Sequence, residues 1–145
     1  QRRIVAAVHA GWRGTVNRIL AKTLHRMQSA YGTRGTDVIA CIGPGISLDS
    51  FEVGDEVYEA FRTENFPMEY ISVWKPETHK YHIDLWAANR LQLSDFGVPP
   101  RQIENAGICT YRQHEDFFSA RRLGIKSGRI LSGIMLNGQE KGERK

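Results

Sequence analysis

Val8-His9-Ala10-Gly11-Trp12-Arg13-Gly14 joins two segments of different hydrophobic pattern. It follows the apolar run Ile4-Val5-Ala6-Ala7-Val8 and precedes a periodic run beginning at Val16, so it reads as a tight strand-to-helix turn. Gly11 and Gly14 allow backbone angles that side chains resist. A helix beginning near Thr15 aims its free N–H groups and positive dipole end into the turn. His9 stands at the strand's end and Arg13 on the turn itself. An imidazole able to bind metal, a fixed cation and a helix N-terminus converge there, an arrangement suited to holding an anion or polarising a substrate. The same residues also suit a purely structural turn, with Trp12 packed on the core and Arg13 solvated.

Outward from the turn, residues 3–9 read as a buried strand. Residues 15–31 read as a helix with Val16, Ile19, Leu20, Leu24 and Met27 on one face, stopped by Gly32. Residues 37–42 form a second apolar strand, with Cys41 packed inside it, and Gly43-Pro44-Gly45 turns the chain. A short strand at 51–53 leads to a helix over about 54–64 that turns Val57 and Phe61 inward. Residues 70–74 and 81–83 are extended. Asp84 caps a helix running to about 95, which Gly97 ends and Pro99-Pro100 keeps from resuming. Strands follow at 105–109 and 129–136, separated by a long loop over 110–126. This order predicts an α/β or α+β domain with mixed β-sheets flanked by helices. The domain spans residues 1–137, and 138–145 form a frayed tail.

A fully apolar strand belongs inside a sheet, yet the one at 3–9 has no sequence before it to supply neighbours. The expectation is a C-terminal piece of a longer polypeptide. The chain's 145 residues suit one domain. Its net charge of +4 lies partly at the ends, in Arg2, Arg3, Lys141, Arg144 and Lys145, and the basic residues do not gather on one helix face. Nucleic-acid binding by a non-enzymatic basic domain is therefore disfavoured. No apolar stretch nears the ~18 residues of a membrane span, which argues against a membrane partner. Two cysteines make no disulfide framework, and a reducing cytoplasm is the simpler setting.

The long loop carries Tyr111, Arg112, His114, Phe117, Phe118, Ser119, Arg121 and Arg122. Phe117-Phe118 could stack on a flat ring, or plug the loop into the core. Arg121-Arg122 could fork a phosphate or carboxylate, or lie exposed. His9, Cys109 and His114 are residue types that zinc accepts, but no C-x2-C or H-E-x-x-H spacing gathers them. A Cys109–histidine nucleophilic pair is also conceivable.

Several motifs in order resemble one family. They are His9-Ala10-Gly11-Trp12-Arg13-Gly14; Ile42-Gly43-Pro44-Gly45-Ile46 leading to Phe51-Glu52-Val53-Gly54; and Asp84-Leu85-Trp86-Ala87-Ala88-Asn89. Cys109-Thr110-Tyr111 and Phe117-Phe118-Ser119-Ala120-Arg121-Arg122 follow, with Gly128-Arg129 last. Together they resemble the YfiH-type family, also called laccase-domain or polyphenol-oxidase-like. The resemblance implies a YfiH-like fold and a metal site of two histidines and one cysteine, usually read as zinc. Two of those ligands lie in motifs that precede the His-Ala-Gly-Trp-Arg-Gly signature. Only His9 is in this sequence, so the missing N-terminal half of the polypeptide is the expected partner. Cys109 would then lie near the pocket or beneath it.

The activities attached to the family are polyphenol oxidation, purine nucleoside phosphorolysis with adenosine deamination, and peptidoglycan-precursor editing. A multicopper oxidase needs many histidines, typically in His-x-His pairs. This sequence has five histidines and no such pair. One Cys-His-His site suits a Lewis-acid zinc, with copper as the alternative. The resemblance therefore implies a zinc-dependent phosphorylase taking a nucleoside (adenosine, inosine or methylthioadenosine) and phosphate. His9 would ligate the metal and, with Arg13, act in catalysis. Arg121 and Arg122 would hold phosphate or ribose, and Thr110, Phe118 and Ser119 would line the base pocket. A strand edge left unpaired would favour association of copies.

Overall fold

The computed structural model describes residues 3–137. Among these residues, two small sheets and six α-helices make a mixed α+β fold. Strand β1 (Ala40–Ile42) pairs in parallel with β5 (Ile103–Asn105). Strands β2 (Glu52–Val53), β4 (Lys80–Ile83) and β3 (Ser72–Lys75) form an antiparallel sheet in the order β2-β4-β3.

Helix α3 (Asp55–Thr63) forms as its spacing predicts. Asp55 and Glu56 occupy the first turn, where the dipole favours acids, and Val57 and Phe61 are buried one turn apart. Helix α4 (Met68–Ile71) is a single turn that leads into β3. Phe61, Ile71 and Ile83 are fully buried in a core shared with Phe51, Val53 and Phe66. Each such side chain contributes about 1.5–3 kcal/mol by leaving water.

Helix α5 (Leu85–Asp95) joins this core to a second one. Leu85 and Ala88 pack into the first, and Leu93 packs with Leu24, Val98 and Ile103 in the other. Asp84 caps it by accepting from the Ala87 N–H at 2.9 Å. Gly97 then turns back at φ 91°. Its backbone lies so close to Gly35 that no Cβ fits there.

Several expectations need correction. The helix of 15–31 is two helices, α1 (Trp12–Val16) and α2 (Ile19–Tyr31). Arg18 breaks them apart at φ 54°, held by a bond from its guanidinium to the Glu64 carbonyl (2.9 Å) and by stacking on Phe66. Residues 3–9 and 129–136 are irregular rather than strands. A strand must satisfy its N–H and C=O groups in a ladder, and neither segment finds one among the described residues. Their apolar side chains stay largely open, with Leu131 96 % and Met135 82 % exposed. The strand placed at 105–109 is shifted to Ile103–Asn105, leaving a single parallel bridge between Gly45 and Cys109. Cys41 lies exposed on β1, not packed in the core. The tail at 138–145 lies outside the described residues.

Candidate functional site

The signature turn opens on a cleft of about 290 Å³ lined by His9, Gly11, Trp12, Arg13 and Gly14. His9 and Arg13 are exposed, and the Arg13 guanidinium lies 4.4 Å from the centre of the Trp12 ring. Trp12 is half-buried against the first core. A Cβ on residue 11 would come 3.0 Å from His9 Nε2, so glycine leaves the imidazole room to lie over the turn.

The turn is held from behind by α5. Thr15 is fully buried, and its hydroxyl donates to the Ala10 carbonyl at 3.0 Å. Asn89 Nδ2 donates to that hydroxyl at 3.1 Å, and Gln92 Nε2 donates to the Thr15 carbonyl at 3.3 Å. Gln92 Oε1 in turn accepts from the Ala21 N–H at 3.2 Å. Two amides on the inner face of a helix are costly to bury without partners. Here they position the backbone beside His9. Helical periodicity marks Asn89 and Gln92 as misfits, but nothing local names their partner some 70 residues earlier.

A second cleft, of about 490 Å³, lies at the edge of the three-stranded sheet. Glu52 and His82 stand opposite each other across β2 and β4, so their side chains share a face. His82 is buried, its Nδ1 lies 3.0 Å from the Leu48 carbonyl, and its Nε2 lies 3.8 Å from Glu52 Oε2. Arg112 pairs with Asp49 at 2.9 Å. Arg121 donates to the Glu52 carbonyl at 2.7 Å, its guanidinium 5.3 Å from the Phe51 ring. The long loop is thus tied back onto the sheet by its arginines.

The other nominated residues are dispersed. Arg122 stacks on Tyr111 at 5.2 Å and donates to its hydroxyl. Ser119 is buried and caps helix α6 (Ala120–Leu123) by accepting from the Arg122 N–H. Thr110 is buried, its N–H on the Gly45 carbonyl. Phe118 is 54 % exposed and lies against Gly128. Arg121 and His9 line different clefts.

Cys109 is buried beneath the second cleft. Burial pushes its thiol up, but the Ser47 hydroxyl (3.1 Å), the Ser50 hydroxyl (3.5 Å) and the backbone N–H groups of Ser47 and Arg112 outweigh burial and lower it to about 6. Ser47, Ser50, Glu52 and His82 escape sequence reasoning because only chain folding gathers them. The opposed register of β2 and β4 is the one signal that could have paired Glu52 with His82.

Among the described residues no three His, Cys, Asp or Glu side chains gather to hold a metal. Residues 1–137 match the family described as multi-copper polyphenol oxidoreductase laccase. The chain belongs to this family. This laccase-domain chain is 65 % identical over 133 residues to a protein of Bacteroides thetaiotaomicron named purine nucleoside phosphorylase, covering 92 % of the chain and 49 % of that protein. It is 50 % identical over 131 residues to adenosine deaminase RL5 from an unknown prokaryotic organism, covering 90 % of the chain and 50 % of the relative. The crystal structure of YlmD from Geobacillus stearothermophilus superposes with a TM-score of 0.70 at 34 % identity, covering 79 % of this chain and 43 % of that one. The laccase-domain chain spans about half the length of the curated relatives it matches. No helix among the described residues is long and apolar enough to cross a membrane.

Proposed function

We propose that this protein is a zinc-dependent purine nucleoside phosphorylase, acting on adenosine, inosine and methylthioadenosine, with adenosine deaminase activity. The observation that carries the reading is the 65 % identity to a protein named purine nucleoside phosphorylase. The deaminase component draws on the name of the 50 % identical relative. The geometry is compatible, because His9 and Arg13 reach an open cleft on a turn whose backbone is fixed from behind.

A zinc site with three protein ligands needs two donors besides His9. The described residues supply only His9 at this cleft and do not by themselves hold the ion. We assign the other two to the part of the relatives' length that this chain does not span. When bound, zinc would supply Lewis acidity toward a substrate oxygen or water. His9 would present its imidazole over the turn, and Arg13, braced on Trp12, would offer its guanidinium to phosphate or to the nucleoside. Free thiols at Cys41 and Cys109 accord with a reducing cytoplasm.

The test uses the complete protein with inosine or adenosine, with and without phosphate and zinc. Phosphate-dependent release of free base and a sugar 1-phosphate supports the reading, and its absence rules it out. Copper polyphenol oxidation is the second reading, favoured by the description of the matching family. Metal analysis and the visible absorption of a thiolate–copper centre separate the two.

A further inference from the structure

The cleft at the edge of the three-stranded sheet has a built chemistry that the reading above leaves unused. We propose that it binds a sugar monophosphate, with Arg121 on the phosphate and the His82–Glu52 pair on the sugar hydroxyls.

His82 is the anchor of the argument. Its side chain is only 9 % exposed and lines the cleft. The Leu48 carbonyl can only accept, so the nitrogen 3.0 Å from it, Nδ1, carries the proton. In the neutral ring, Nε2 then presents a lone pair. Across from it, at 3.8 Å, stands Glu52 Oε2, a second acceptor too far away for a hydrogen bond. With the ring in that form, two acceptors face the same cleft and neither donates to the other. Both atoms belong to side chains that line the cleft, where a ligand can offer each a donor. A sugar hydroxyl supplies one, and a vicinal diol supplies one to each acceptor.

The charge in the cleft is also uneven. Asp49 and Arg112 neutralise each other at 2.9 Å. Arg121 makes no ion pair among the described residues. Its one hydrogen bond there goes to the Glu52 backbone carbonyl, and stacking on Phe51 steadies it. A guanidinium has five N–H donors, so the others are free for an anion, and the fork matches phosphate.

A flat base is the less suited occupant. Phe51 is already covered by Arg121, and Tyr111 by Arg122. At about 490 Å³ the cleft has room for a small ligand. Hydroxyls beside a single anionic group describe a pentose or hexose monophosphate.

This inference stands apart from the chemistry at His9, and its test needs no turnover. The complete protein is titrated with ribose 5-phosphate, ribose and inorganic phosphate by calorimetry. Ribose 5-phosphate should bind at least about tenfold tighter than either fragment. Arg121→Gln and Glu52→Gln should each weaken it by about tenfold or more. His9→Ala, in the other cleft, should leave the affinity unchanged. Both cleft variants alter half-buried or exposed side chains, and unchanged melting temperatures verify their folding. If either melts early, shifts of the His82 ring protons on adding ribose 5-phosphate to the unaltered protein decide instead. Equal affinity for sugar phosphate and free phosphate, loss of binding in His9→Ala, or a His82 ring that does not respond would overturn the proposal.

Discussion

Removing the Ser47 hydroxyl should move Cys109 back toward an ordinary thiol. In a Cys41→Ser background only Cys109 reports, and its thiol should ionise at about 6. Burial opposes this, and hydrogen bonds to sulfur overcome it, the shortest being the Ser47 hydroxyl at 3.1 Å. A hydrogen bond to a charged acceptor contributes about 1.5–3 kcal/mol, and one pKa unit is about 1.4 kcal/mol. Ser47→Ala should therefore raise the value by about 1–2 units. At about pH 7 the thiolate fraction then falls from roughly 90 % to between about 10 and 50 %. Thiolate ultraviolet absorbance followed across pH reads the fraction directly, and alkylation rates give a second measure. Stability should move with it. A depressed thiol stabilises the fold fully above its unfolded value of about 8.5, and that contribution is lost as pH falls through about 6. The urea midpoint should rise with pH across that window and rise less in Ser47→Ala. An unaltered protein that titrates near about 8.5, or a variant that titrates like the unaltered one, would show that these hydrogen bonds do not depress the thiol.

Thr15→Val strips the hydroxyl that links Ala10 to Asn89, so the Ala10 carbonyl loses that donor and Asn89 Nδ2 keeps only the Leu85 carbonyl. Chemical denaturation should show a loss of about 0.5–1.5 kcal/mol for each of the two hydrogen bonds removed. Gly35→Ala drives a methyl into the Gly97 backbone, so it should cost several kcal/mol, on the order of the larger packing defects, or abolish soluble expression. The 145-residue chain alone should bind zinc weakly, since its described residues offer His9 without companions. Tight stoichiometric zinc in equilibrium dialysis would contradict that.

The elements most legible in the sequence are those whose signals are local. The Val57–Phe61 spacing, the Asp84 cap and the Gly32 and Gly97 stops announce α3, α5 and the ends of α2 and α5. The left-handed Arg18 is not local in origin, because its anchors Glu64 and Phe66 arrive from α3 and the turn after it. Residues 3–9 and 129–136 carry a strand pattern but no ladder among the described residues, which shows that apolar pattern specifies a face and pairing specifies a strand. At the candidate site, His9 and Arg13 sit together because they are sequence neighbours on one turn. Arg121, nominated beside them, is drawn to another cleft by Phe51 and the Glu52 carbonyl, a tertiary preference invisible in an Arg-Arg pair.

In the proposed function, the imidazole at position 9 holds a catalytic zinc in a nucleoside phosphorylase. The direct measurement is base release from inosine by the complete protein and its His9→Ala variant, with phosphate and zinc supplied and bound metal assayed in both. The variant should lose its zinc and at least about a hundredfold of its activity while melting at the same temperature. A variant that keeps both metal and turnover would contradict it.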